Sequence, residues 1–181
     1  MSMKQKLLIP AIALAAAVAA PAAMATDTAG KFGLGMSKFI DEDSVALAGR
    51  YWGSESAGLQ GTVYYSSEDY QTTVSNIVRD VEVTQWAVGL KGLFAPIVRE
   101  NSKFLMSLEV GYNDAEVDVK RVGKSETDGW FVFPAIGAEF MLNGLPELGL
   151  NFEVGYRYED SDDLNVQKDG VKGSVGVVYY F

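Results

Sequence analysis

Cysteine and histidine are both absent from this 181-residue chain. Without cysteine there is no disulfide framework and no thiolate metal site. Without histidine, Ser-His hydrolysis and metal-His chemistry are excluded, and only carboxylate, Lys or Tyr chemistry remains for an enzyme. Base is scarce too: 15 Lys and Arg stand against 24 Asp and Glu, a net charge of −9. That balance argues against nucleic acid, or a bare anionic surface, as partner, since both call for a basic patch. Beyond residue 25 no segment is long and apolar enough for a transmembrane helix. An exported chain of this kind can enter a membrane only as strands.

The first 25 residues read as an export signal. Lys4 and Lys6 form a positive start, Leu7 to Ala20 is apolar apart from Pro10, and Ala23-Met24-Ala25 supplies small residues at a cleavage site. Cleavage after Ala25 would remove both lysines and no acid, taking net charge from −9 to −11. Residues 26–181 then form one domain.

What the mature part does contain is alternation. Eight segments carry a period of two, and none has a convincing helical period. Phe32, Leu34 and Met36 share one face of the first segment, and Val45, Leu47 and Tyr51 one face of the second. Leu59, Val63 and Tyr65 follow, then Trp86, Val88, Leu90 and Phe94, then Phe104, Met106, Leu108, Val110 and Tyr112. Trp130, Val132, Ile136 and Phe140 mark the sixth, and Leu150, Phe152, Val154, Tyr156 and Tyr158 the seventh. The eighth ends the chain, with Val171, Val175, Val177, Tyr179 and Phe181 on one face.

The apolar face carries a single charge, Lys38, near a strand end where its ammonium can snorkel to an interface. The opposite face is small and polar and holds Arg50, Lys91, Glu109, Glu139, Glu153, Arg157 and Lys172. One greasy face on every strand reads as apolar-out, polar-in. The expected fold is therefore an all-β, eight-stranded antiparallel up-and-down transmembrane barrel. A soluble lipocalin-like carrier is the alternative, because a cup also alternates.

Connections 53–57, 95–102 and 143–147 are expected to be short turns, and 67–80, 114–128 and 159–169 longer acidic outer loops. The outer connection at Asp41-Glu42-Asp43 is very short. Interfacial girdles are expected from Phe32, Phe94, Phe104, Phe152 and Phe181 at one end and Phe39, Tyr65, Trp86, Tyr112, Trp130, Tyr156 and Tyr158 at the other. Glu109-Val-Gly-Tyr112 recurs as Glu153-Val-Gly-Tyr156, with each Gly expected to leave room for its Glu. Pro134 cannot donate to a ladder, so a bulge is expected there.

Charges inside so narrow a barrel must pair or cost several kcal/mol each. The seven inner charges are expected to form a salt-bridge network that plugs the lumen, with a conducting path as the alternative. Asp41, Glu42, Asp43, Asp160, Asp162 and Asp163 read as solvated loop surface in preference to a divalent-cation site, since no EF-hand spacing is present. No metal, cofactor or enzymatic activity is expected.

The leader, the eight alternating segments, the inward charges and the final Tyr179-Tyr180-Phe181 resemble the small eight-stranded outer-membrane proteins typified by OmpX, the OmpA membrane domain and the opacity proteins. Val45-Ala-Leu-Ala-Gly-Arg-Tyr51 and Gly58-Leu-Gln-Gly61 are similar to the YfaZ-like group. The resemblance implies a bacterial outer-membrane location, lipid and lipopolysaccharide as surroundings, and insertion by the assembly machinery with periplasmic chaperones. Val177, Tyr179 and Phe181 would serve as the C-terminal assembly signal, and a monomer is expected. Two roles follow: a structural or surface-interaction protein acting through its outer loops, or a narrow pore for small solutes.

Overall fold

The computed structural model describes residues 28–40, 45–74, 77–119, 123–161 and 169–181. The leader and most of the acidic positions, Asp41, Glu42, Asp43, Asp162 and Asp163, lie outside them. Eight strands follow in order: β1 (Phe32–Phe39), β2 (Val45–Trp52), β3 (Ala57–Val74), β4 (Ile77–Arg99), β5 (Ser102–Val119), β6 (Gly123–Leu142), β7 (Leu145–Ser161) and β8 (Gly170–Tyr180). Each pairs antiparallel with the next, and β8 closes on β1, giving an up-and-down barrel with no unpaired seam. The closure continues past the strand ends, where Phe181 N–H donates to the Phe32 carbonyl and Ile40 N–H to that of Gly173.

The pleat places side chains as the alternation demands. Leu47, Leu59, Leu90, Leu108 and Trp130 stand exposed on the outside, while Arg50, Gln60, Lys91, Glu109 and Glu139 are buried. From Phe94 to Trp86, β4 carries the apolar belt over eight steps, ~26 Å along the strand at ~3.3 Å per residue and ~20 Å when tilted by ~40°. That approaches the ~25 Å band of a lipid-facing barrel.

Several expectations are corrected. The segments 67–80 and 114–128 are not loops: β3 and β4 pair without interruption to Val74↔Ile77, and β5 and β6 to Val119↔Gly123. β7 likewise runs through Glu159 to Ser161. Extended polar segments rich in Val and Thr can hold a ladder without an apolar face, because β-branched side chains favour the extended backbone. The turn at 95–102 shrinks to Glu100-Asn101 and that at 143–147 to Asn143-Gly144, with Gly144 at φ 87. Asn-Gly is the preferred dipeptide for such a two-residue hairpin.

Pro134 produces no bulge. Leu108↔Pro134 belongs to an unbroken β5–β6 register, while pairing with β7 skips from Val132↔Tyr158 to Ala135↔Gly155 in the same register. The missing donor interrupts one ladder and shifts nothing. A register shift falls instead between Phe94 and Ile97, at the segment holding Pro96.

Candidate functional site: the lumen

The inside of the barrel is filled in layers. Nearest the short turns lies an apolar cluster of Trp52, Leu93, Ala95, Leu105, Met141, Val178 and Tyr180. Toward the tall hairpins lies a second, of Phe39, Ala46, Tyr64, Ala87, Phe131, Phe133 and Ala135. Along β4 the inner residues run Ala87, Gly89, Lys91, Leu93, and along β6 Phe133, Ala135, Gly137, Glu139, Met141. The charges thus fall between the two apolar layers.

Register brings the charges together. Across three ladders Arg50 lies opposite Gln60, Gln60 opposite Lys91, and Lys91 opposite Glu109. Arg50 Nε donates to Gln60 Oε1 at 2.7 Å, and its Nη1 reaches across the lumen to Glu139 Oε1 at 2.5 Å. Tyr180 O–H donates to the same Glu139 oxygen at 2.7 Å and accepts from Trp52 Nε1 at 3.1 Å. Lys91 Nζ sits 2.6 Å from Glu153 Oε2 and 3.3 Å from Glu109 Oε2. Thr62 and Tyr64 hydroxyls donate to Glu109 Oε1 at 2.6 and 3.0 Å, and Ser107 donates to Glu153 Oε1 at 2.6 Å. Glu109 and Glu139 are 0% exposed and Arg50 1%.

Five of the seven expected charges lie at one level of the lumen. Arg50, Lys91, Glu109, Glu139 and Glu153 make the central layer. Arg157 stands above it, its guanidinium 4.1 Å from the Phe131 ring centre and 5.5 Å from that of Phe39, with Nε donating to Glu159 Oε2 at 3.2 Å. Glu159 also accepts from Asn113 Nδ2 at 2.7 Å. Lys172 is half-buried on β8, opposite Gly155, and is not without a partner. The separation follows from height: Arg157 lies four residues beyond Glu153 on β7, about 13 Å along the strand.

Phe39 is not a girdle residue. It faces inward, stacks on Tyr64 at 5.9 Å and meets Phe133 edge-on at 5.4 Å. The glycines of the Glu-Val-Gly-Tyr repeat also serve another purpose. A Cβ at Gly111 would strike the Phe131 ring, and one at Gly155 the Phe133 ring and the Pro134 carbonyl. Room for Glu109 comes from Gly89, where a Cβ would collide with the Glu109 carboxylate and the Thr62 hydroxyl.

Sequence reasoning missed three parts. The lumen aromatics Phe131 and Phe133 were hidden because strand β6 is apolar on both faces around Trp130-Phe-Val-Phe133, and Trp52 because it ends β2 at the edge of an expected turn. Glu159 sat in a presumed loop. Lys103, 2% exposed, shares its parity with Glu109 on β5, a signal that was present but lay at the edge of an expected turn. Of the remaining expected positions, Tyr179 and Phe181 point outward and exposed, Val177 is half-exposed, and Asp160 is exposed. Among the described residues no cluster of acidic side chains has metal-ligand geometry.

No family model and no curated protein matches the sequence. Solved structures do. Ail, the attachment invasion locus protein of Yersinia pestis, is 16% identical, covering 84% of this chain and 99% of its own, with a TM-score of 0.46. The same protein in complex with the heparin analogue sucrose octasulfate is 17% identical, covering 83% and 94%, with a TM-score of 0.48. The N-terminal β-barrel domain of Pseudomonas aeruginosa OprF is 8% identical, covering 83% and 96%, with a TM-score of 0.47.

Proposed function

We propose that this chain is a monomeric bacterial outer-membrane protein whose plugged barrel anchors a tall sheet for contacts outside the cell. The observation that carries this reading is the inversion of polarity. Leu47, Leu59, Leu90 and Leu108 stand outside and more than half exposed, while Arg50, Lys91, Glu109, Glu139 and Glu153 are sealed inside. In water that arrangement would leave the apolar surface exposed; in lipid that surface is covered, and the closed ladders keep backbone hydrogen bonds within the barrel.

The lumen favours a plug over a pore. Ions would have to pass two apolar layers as well as the paired charges of the central layer. The interaction role falls to the hairpins. β3 continues nine residues past Tyr65, roughly 30 Å at ~3.3 Å per residue, and β4, β5 and β6 extend alongside it. On the outward face of that sheet Asp114 lies directly opposite Asp128. Like charges so placed repel one another. A basic partner would relieve that repulsion, and its binding would weaken with salt. Basic patches on host surfaces and other macromolecules are the partner classes that fit such a sheet, lipopolysaccharide surrounds the barrel as lipid, and the role is non-enzymatic.

The test is fractionation of cells expressing the full chain, with outer-membrane extract run on SDS gels with and without boiling. Recovery in the outer membrane with a heat-dependent mobility shift supports the reading, and soluble periplasmic recovery without a shift overturns it. Planar-bilayer recording then separates plug from pore: steady single-channel conductance from the purified barrel would replace the plug with a narrow solute path.

A further inference from the structure

At the turn-side mouth the chain ahead of β1 does something a mere tail would not. Thr28 is fully buried. Lys31 N–H donates to the Thr28 carbonyl at 3.0 Å, Gly30 N–H to the Trp52 carbonyl at 2.7 Å, and Trp52 N–H to the Lys31 carbonyl at 3.2 Å. Gly30, at φ 75, provides the left-handed bend that turns the segment inward. Its hydroxyl end is held from the opposite wall: Lys103 Nζ donates to Thr28 Oγ1 and, at 2.9 Å, to the Glu55 carbonyl in the first turn. The same ammonium lies 3.8 Å from the Trp52 ring centre.

We propose that Thr28–Lys31 is a strap that shuts the turn-side mouth of the lumen, and that Lys103 is its catch. One buried cation ties the strap, the first turn, the end of β2 and the start of β5, positions separated by 75 and 48 residues in sequence. A lysine so buried needs such partners, because its charge has left water. The strap covers the lower apolar layer, so releasing it opens a cup on the turn side whose floor is Trp52, Leu105 and Tyr180. The ionic layer above stays sealed. This goes beyond the plugged-lumen reading and can fail without it.

The chain has no native cysteine, so a single introduced thiol reports cleanly. The experiment compares maleimide labelling of Thr28→Cys, Thr28→Cys with Lys103→Met, and the exposed control Ser54→Cys, counting only the folded, heat-shiftable gel band. Cys at 28 should label far more slowly than Cys at 54. Lys103→Met, which keeps the stem and removes the ammonium, should raise its rate roughly tenfold or more by raising the open population. Labelling at 28 as fast as at 54 overturns the strap. An unchanged rate in the Lys103→Met background overturns the catch. Should Thr28→Cys not fold, trypsin cutting at Lys31 serves on the otherwise native chain. The folded parent should resist and the Lys103→Met barrel should be cut; equal resistance of both overturns the catch, and equal cleavage the strap.

Discussion

Glu153 shows what a single side chain carries in this barrel. Both its oxygens are committed, one to Lys91 at 2.6 Å and one to Ser107 at 2.6 Å, and the residue is buried. Replacing it with Gln keeps the shape but leaves Lys91 with Glu109 as its one carboxylate neighbour, at 3.3 Å. Breaking one partner of a buried pair costs about 3–5 kcal/mol. Denaturant unfolding of the refolded Glu153→Gln barrel should reveal a loss approaching that size, with no new conductance, whereas a gate would open. Glycine offers a matched contrast. A Cβ at Gly89 meets the Glu109 carboxylate and the Thr62 hydroxyl, while one at Gly61 meets nothing within 4 Å. Gly89→Ala should therefore destabilise by about 1–3 kcal/mol through overpacking. Gly61→Ala, on the outward face, should be close to neutral by the same unfolding assay.

The strands show what was legible and what was not. Wherever an apolar row ran against a polar one, as in Val45–Trp52 or Leu150–Tyr158, the pleat assigned both faces correctly, because a one-residue slip would reverse every side chain. Arg50 and Lys91 were readable as inward for that reason, but their partners were not: register across the lumen, not spacing along a strand, sets Arg50 against Glu139. The extents of β3 to β6 were unreadable for a different reason. Above the belt both faces are polar, so the alternation that betrays a strand disappears although the ladder persists to Val74↔Ile77. The hairpin above the belt lacks the alternating apolar row of the strands below it, and so it is expected to be dispensable to the barrel. Deleting 69–82 and joining Glu68 to Val83, which lie opposite each other, should leave the heat-dependent mobility shift intact. Binding of basic partners should fall in a salt-jump pull-down with Asp114→Asn combined with Asp128→Asn on β5 and β6. Loss of the shift would mean that the hairpin is part of the barrel's folding unit.

On the scale of the whole molecule, the same contacts mean opposite things in water and in lipid, and one substitution tells them apart. Leu90 is 57% exposed on the outside of β4, midway between Trp86 and Phe94, and so at the centre of the belt. Leu145, 44% exposed, begins β7 beside the Asn143-Gly144 turn, at the belt's edge. In a soluble barrel, an arginine at either position would face water, and stability would change little. In a bilayer, an arginine on the lipid face costs ~2–4 kcal/mol at midplane and ~0–1 kcal/mol near the interface. Leu90→Arg should thus lower folding free energy in lipid vesicles several-fold more than Leu145→Arg does, and the gap should shrink in detergent micelles, which deform around a charge. Equal, near-zero effects for both would invert the assignment of faces. The depth dependence matters more than either value, because only a slab of hydrocarbon lying across the strands makes the cost of one arginine depend on its height along the barrel.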